Sequence, residues 1–252
     1  MIELRQLSVA YGERQVVHEV DLQIPNHGIT ALIGPNGAGK STLLCAVGRL
    51  LPRCAGELLI DDIPLEKWRT DALARKLAIL RQENHLNMRL TVAELVMLGR
   101  HPHNKGRSST RDYEVVAEAL EQVELTDLSS RFLDELSGGQ RQRAFVAMTL
   151  AQEAHYLLLD EPLSALDMRH ARELMRRLAR TSKEQNISVV IVIHDVNTAA
   201  AYADHIVALK DGRVVATGTP HEVLTPETMH QVFDIEVQVI EVEGAPVVIP
   251  KR

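Results

Sequence analysis

Residues 34–42, "GPNGAGKST", constrain this chain more than any other stretch. They satisfy the spacing G-x-x-x-x-G-K-[ST], with the apolar run "GITALIG" leading in and "STLLCAVGRLL" leading out. A buried strand, a glycine-rich turn and a helix in that order point to an α/β architecture. Gly37 and Gly39 let the backbone curl so that successive N–H groups face phosphate oxygens. The helix that follows adds the positive end of its dipole. On this reading Gly34, Pro35, Asn36, Gly37, Ala38, Gly39, Lys40, Ser41 and Thr42 form a nucleotide cradle. Lys40 reaches the β- and γ-phosphates and the Ser41 hydroxyl ligates Mg²⁺. A chance glycine-rich turn is the alternative, and the flanking pattern argues against it.

Two further apolar runs, "HYLLLDEP" and "ISVVIVIHD", are short and end in acidic or histidine residues. They read as central strands of a parallel sheet covered on both faces. Between them Ala171, Leu174, Met175, Leu178 and Ala179 fall on one helical stripe. The first thirty residues instead alternate in two runs, "IELRQLSV" and "QVVHEVDLQI", as antiparallel strands do. Residues 89–132 have a helical pattern broken by the polar loop "HPHNKGRSST". In a parallel sheet, ligands sit at the carboxyl ends of the strands. Asp160 ends one strand, where a carboxylate meets Mg²⁺ through its water shell. Glu161 follows on the other side of the pleat, placed to polarise an attacking water as general base. Surface acidic caps are the plain alternative. Tyr11, in a turn between the first two strands, can stack on adenine or merely pack. The guanine-reading run Asn-Lys-x-Asp is missing, since "NKGR" lacks the aspartate.

Composition excludes other classes. A net charge of −6 argues against a nucleic-acid binder, which needs a basic face. Cys45 and Cys54 are the only cysteines, too few for a disulfide framework and wrongly spaced for zinc, and they suit a reducing compartment. The opening residues lack a secretory signal pattern, and no run of about eighteen apolar residues occurs to span a membrane. His101 and His103 lie in the polar loop without carboxylate or cysteine neighbours, so a metal site is not expected there.

One segment is left over: "LSGGQRQR", with two adjacent glycines at an expected helix start. Taken in order, Tyr11, the cradle, Gln82 in "ILRQEN", "LSGGQRQR", "YLLLDEP", "SALD" and His194 in "VIHD" resemble the ATP-binding subunit of ABC transporters over nearly the whole chain. The resemblance implies a RecA-like P-loop core with an N-terminal antiparallel β-subdomain, an inserted helical subdomain over 84–152 and a tail over 219–252. It implies an ATP hydrolase acting as a homodimer, with Mg²⁺ held by Ser41, Gln82 and Asp160. Ser137, Gly138, Gly139 and Gln140 then contact ATP bound to the opposite copy. Glu161, His194 and Gln82 are the implied catalytic set, and Asp167 is placed at the dimer interface. Asp167 also reads as a plain helix N-cap. Chains of this build dock on integral-membrane permease subunits at the cytoplasmic face of the bacterial inner membrane, and a substrate-binding protein outside delivers the cargo. "LTVAELVMLGRHPH", "ALDMRHARELM" and the tail resemble importers of iron(III)-siderophores, haem and vitamin B12. Zinc or manganese importers, soluble ABC ATPases of repair or translation, and P-loop kinases or GTPases are the competing classes.

Overall fold

Ten residues of alternating pattern, β1 (Ile2–Tyr11), pair antiparallel with β2 (Arg14–Ile24). The pairing register shifts three times along β1. Ile2, Leu4, Leu7 and Val9 all face inward because the register shifts between Leu4 and Leu7, where Gln6 takes a left-handed φ of 50°. The structure, a computed structural model, describes residues 1–82 and 88–251. The expected helical subdomain therefore begins at residues, 84–87, that lie outside the described ones.

After β3 (Gly28–Ile33) and α1 (Lys40–Val47), β4 (Arg53–Ile60) returns to pair with β1, and β5 (Ile63–Pro64) completes a four-stranded sheet in the order β2-β1-β4-β5. Leu43, Leu44, Ala46 and Val47 of α1 sit in one apolar core with the inner residues of β1 and β2. α2 (Thr70–Lys76) then leads into β6 (Leu77–Leu80), an edge of the central sheet.

The helical region holds α3 (Val92–Leu98), α4 (His101–Asn104), α5 (Thr110–Gln122) and α6 (Gly138–Ala151). Reciprocal caps start three of them, Thr91 with Glu94, Ser109 with Asp112 and Ser137 with Gln140. The polar segment expected to be all loop begins with the helical turn α4. Pro102 fits a first turn because that position needs no N–H. The Arg75 Nε donates to the Pro102 carbonyl at 2.9 Å and the His103 ring lies 2.8 Å from the Gln152 carbonyl, which pins the turn. Beneath it Arg100, only 4% exposed, donates to Asp112 at 2.9 Å, to the Ala151 carbonyl at 2.7 Å and to Glu153 at 2.7 Å. One guanidinium thus ties the ends of three helices together.

The chain then returns to the sheet through β7 (Tyr156–Asp160), α7 (Met168–Gln185), β8 (Ser188–Val192), α8 (Val196–Tyr202) and β9 (His205–Lys210). β10 (Arg213–Gly218) is the antiparallel edge. The order is β10-β9-β3-β8-β7-β6, with every pair from β9 to β6 parallel. α7 buries Leu174, Met175 and Leu178 against the face opposite α1. α9 (Pro220–Val223) and α10 (Pro226–Phe233) precede a hairpin of β11 (Val237–Val242) and β12 (Ala245–Pro250). The hairpin leans on α8: the Asn197 amide accepts from the Val248 N–H at 2.8 Å and donates to its carbonyl at 3.1 Å. Among the described residues, no helix is long and apolar enough to cross a membrane.

The Arg100 node has a pH signature. Hydrogen bonds from Ser109, then the Arg100 guanidinium, hold the Asp112 carboxyl down from 3.8 to about 2. A carboxyl lowered in the folded state contributes stability above its unfolded value and loses it as pH falls through the folded one. Thermal unfolding should therefore fall more steeply between pH 4 and pH 2 in the wild type than in Asp112→Asn, which should also melt lower at pH 7.

Candidate active site

The carboxyl end of β3 opens into the cradle. Gly37 and Gly39 take φ of 80° and 94°, backbone that L side chains rarely adopt, and Gly39 caps α1. The turn is narrow. Lys40, 5% exposed, folds back across it and donates to the carbonyls of Gly34 at 2.8 Å and Pro35 at 2.9 Å. Burial lowers its pKa, while the Glu161 and Asp160 charges work the other way. The Ser41 hydroxyl donates to Asp160 Oδ1 at 2.8 Å. Asp160 is 3% exposed at the end of β7. Burial raises its pKa, while the Ser41 hydrogen bond and Lys40 pull it down. A hydroxyl and a carboxylate converging beside a buried ammonium suit Mg²⁺, which prefers oxygen ligands and keeps several waters. The donor set fits the ion.

Glu161 leaves the strand through a left-handed φ of 49°, which swings its carboxylate toward the cradle. Its two oxygens are both engaged. His194 Nε2 lies 2.7 Å from Oε1, and Gln82 Nε2 donates to Oε2 at 3.0 Å. Gln82 follows β6, Glu161 follows β7 and His194 follows β8, so three neighbouring parallel strands deliver the three side chains. They line one cavity of about 400 Å³ with residues 36–42 and Val16. A larger, more apolar hollow of about 600 Å³ adjoins it through Glu161 and His194, bounded by Met168, Ala171 and Tyr202.

Not every expected residue comes to this cavity. Tyr11 ends β1, 53% exposed, and does not line it; Val16 of β2 does. Val16 sits where the β1–β2 register shifts between Val17 and Gln15, with its carbonyl close to Gly39, and no local motif marks it. Asp167 caps α7, accepting from the His170 N–H at 2.9 Å, and hydrogen bonds from His170 hold its pKa down. Ser137 caps α6, accepting from the Gln140 N–H at 3.3 Å while the Gln140 side chain accepts from the Ser137 N–H at 3.0 Å. None of Ser137, Gly138, Gly139 and Gln140 lines either cavity.

The sequence profile of the ABC transporter family matches residues 17–164, more than half of the chain and inclusive of the cradle, "LSGGQ" and the Asp160–Glu161 pair. The chain belongs to the ABC transporter family. It is an ATP hydrolase of that family, built on its P-loop fold. The petrobactin import ATP-binding protein YclP of Bacillus subtilis is 43% identical, over 97% of each chain. The iron(3+)-hydroxamate import ATP-binding protein FhuC of the same organism is 41% identical, over 95% of this chain and 90% of its own. Among solved structures, a dimeric post-hydrolysis state of the ATP-binding cassette MJ0796 bound to ADP and Pi superposes with a TM-score of 0.79. It is 31% identical and covers 87% of this chain and 98% of that one.

Lys40→Ala removes the ammonium buried under the cradle. ATP binding by the isolated protein should weaken and turnover should drop by about 10²-fold or more, read by nucleotide titration and phosphate release.

Proposed function

We propose that this chain is the ATPase of a bacterial importer of iron(III)-siderophores or a related chelate such as haem or vitamin B12. The observation that carries the hydrolytic part is the placement of Glu161 between Gln82 and His194 at the mouth of the cradle. The names of the relatives support the cargo class.

On this reading ATP lies with its phosphates along residues 34–42, and Tyr11 stacks on the adenine. Ser41, Asp160 and Gln82 would hold Mg²⁺, which would supply positive charge to the phosphate oxygens. Lys40 exchanges its two carbonyl partners for β- and γ-phosphate oxygens. His194 orients the γ-phosphate and the attacking water, and Glu161 takes the water's proton as its oxygen bonds the γ-phosphorus in line and the bond to the β-phosphate oxygen breaks, releasing ADP and phosphate. Two copies face head to tail, so Ser137, Gly138, Gly139 and Gln140 of each complete the site of the other, with Asp167 at the seam. The helical subdomain over 84–152 docks on a membrane permease at the cytoplasmic face, fed by a substrate-binding protein on the far side, and the tail covers 219–252. Gln82 links site and helical region.

Glu161→Gln keeps the shape and loses the base. The variant should bind ATP, persist as an ATP-dependent dimer on size exclusion and release phosphate at least about 10²-fold more slowly. A strain lacking the chain should fail to grow on a ferric siderophore as sole iron source, and this variant should not restore it. Growth of the deleted strain at the normal rate on each such chelate sinks the cargo assignment.

The docking half is tested separately. Lys105→Glu with Arg107→Glu, both on the exposed loop after α4, should lower transport several-fold and leave basal ATPase within about twofold. Cross-links from the permease that map to the tail instead of this loop contradict the docking site.

A further inference from the structure

The hollow of about 600 Å³ beside the site is built differently from the cradle. Val192 at the end of β8, Ala171 of α7 and Ala201 of α8 all line it. Leu163, Met168 and Tyr202 complete an apolar wall, and Met168 is 89% exposed. An exposed thioether bordering an apolar cavity is surface that gains from being covered. The volume lies in the range that encloses a small organic molecule, roughly 300–1,000 Å³.

Most polar groups around this hollow already have partners. Asp195 accepts from the Asn197 N–H at 3.1 Å, and from the Thr198 N–H at 3.2 Å and hydroxyl at 2.6 Å. The Asn197 amide is held by Val248. The Ser164 hydroxyl donates to the Glu161 carbonyl at 3.0 Å, and the Glu161 carboxylate is held by Gln82 and His194. Arg172 is different. It lines the same hollow, yet among the described residues its guanidinium has no hydrogen bond and no ion pair. The Tyr202 hydroxyl has no hydrogen bond among them either. What stays open is an apolar cavity with one uncommitted cation and one phenol. A neutral apolar ligand would leave that cation unused. A ligand with apolar rings and an acidic group matches both features, and hydrogen bonds between ionised partners are the stronger kind.

We infer that this hollow is a second ligand site, for a small amphipathic anion: an aromatic carboxylate or sulfonate whose rings lie between α7 and α8 and whose acidic group pairs with Arg172. Such a ligand rests against Glu161 and His194, which also line the hollow. In this structure those two side chains are bonded to each other at 2.7 Å. On the hydrolytic reading above, His194 turns to the γ-phosphate and Glu161 to the attacking water. An occupant packed against the bonded pair favours that arrangement over the one hydrolysis needs, so it slows turnover. By linkage, ATP weakens the occupant's binding by the same factor as the occupant weakens that of ATP. The control of hydrolysis rests on that reading. The binding site does not.

The test uses the full-length protein without nucleotide and, as probe, 8-anilinonaphthalene-1-sulfonate, an aromatic sulfonate that fluoresces on leaving water. It should bind saturably, once per chain. N-phenyl-1-naphthylamine, the same rings without the acid, should bind about tenfold more weakly. Arg172→Gln, at an exposed position, should remove that difference, and Arg172→Lys should restore part of it. Ala201→Trp, also at an exposed position, should fill the hollow and abolish binding of both probes. If that variant does not fold, the Arg172→Gln result decides. Over the concentrations at which it binds, the sulfonate should lower the basal ATPase rate of the wild type and leave that of Ala201→Trp unchanged. Binding unaltered by Arg172→Gln and Ala201→Trp, or a signal that never saturates, overturns the site. A signal that grows only as the chain dimerises overturns it too, because a second copy then supplies the surface. Equal binding of the two probes overturns the choice of an anion, and full occupancy with undiminished ATPase overturns the control of hydrolysis. Because probe binding needs neither permease nor cargo, its failure leaves the importer assignment standing, and the reverse holds.

Discussion

Parallel pairing is the constraint on which the rest of this molecule depends. Strands bonded side by side lie about 4.8 Å apart, so residues leaving their carboxyl ends become neighbours however far apart they are in sequence. β3, β8, β7 and β6 run the same way, and the cradle, His194, Glu161 and Gln82 issue from those four ends in spatial order. A parallel connection also requires a long crossover. The cradle and the start of α1 wall the smaller cavity, and α7 and α8 wall the larger one.

The charge arrangement follows from that crowding. Lys40 and Asp160 are both nearly sealed from solvent, and each is shifted toward its neutral form by burial. Burying an ion costs roughly several kcal/mol unless an opposite charge or hydrogen bonds offset it. Here the offsets are mutual: Lys40 lowers the pKa of Asp160, Ser41 binds its carboxylate, and Glu161 and Asp160 support the ammonium. The site holds itself together by contacts between the groups that a bound nucleotide and metal would separate. Such internal pairing keeps the side chains oriented before any ligand arrives.

What could be read from the sequence was whatever is encoded within a few residues. The cradle, the acidic pair ending β7 and the stripe on α7 are local patterns, and the folded chain carries each where its pattern says. The reciprocal cap between Ser137 and Gln140 is likewise a three-residue spacing. Long-range features were hidden. Val16 enters the cavity from an irregular point of the β1–β2 pairing that no short motif encodes, whereas Tyr11 offers an aromatic ring in a turn and does not line the cavity. Arg100 and Asp112 look like ordinary surface charges until three helix ends enclose them. "HPHN" reads as loop by polarity, and its helical turn depends on partners at Arg75 and Gln152. The glycines at 138 and 139 read alike in sequence, and only a Cβ at 139 would crowd a neighbour, the Ala165 carbonyl oxygen.

Asn197 has a role that its place at the start of α8 conceals. Its amide both gives to and takes from the backbone of Val248, as an adjoining strand would. It therefore serves the terminal hairpin as a strand one residue long. A slip of the hairpin by a single residue would turn each side chain to the opposite face, carrying the buried Val237 and Val248 into water. With one fixed docking point on a helix that also follows His194, the hairpin has a single setting. The last strands of the chain are thus indexed against the same element whose approach carries the histidine of the site.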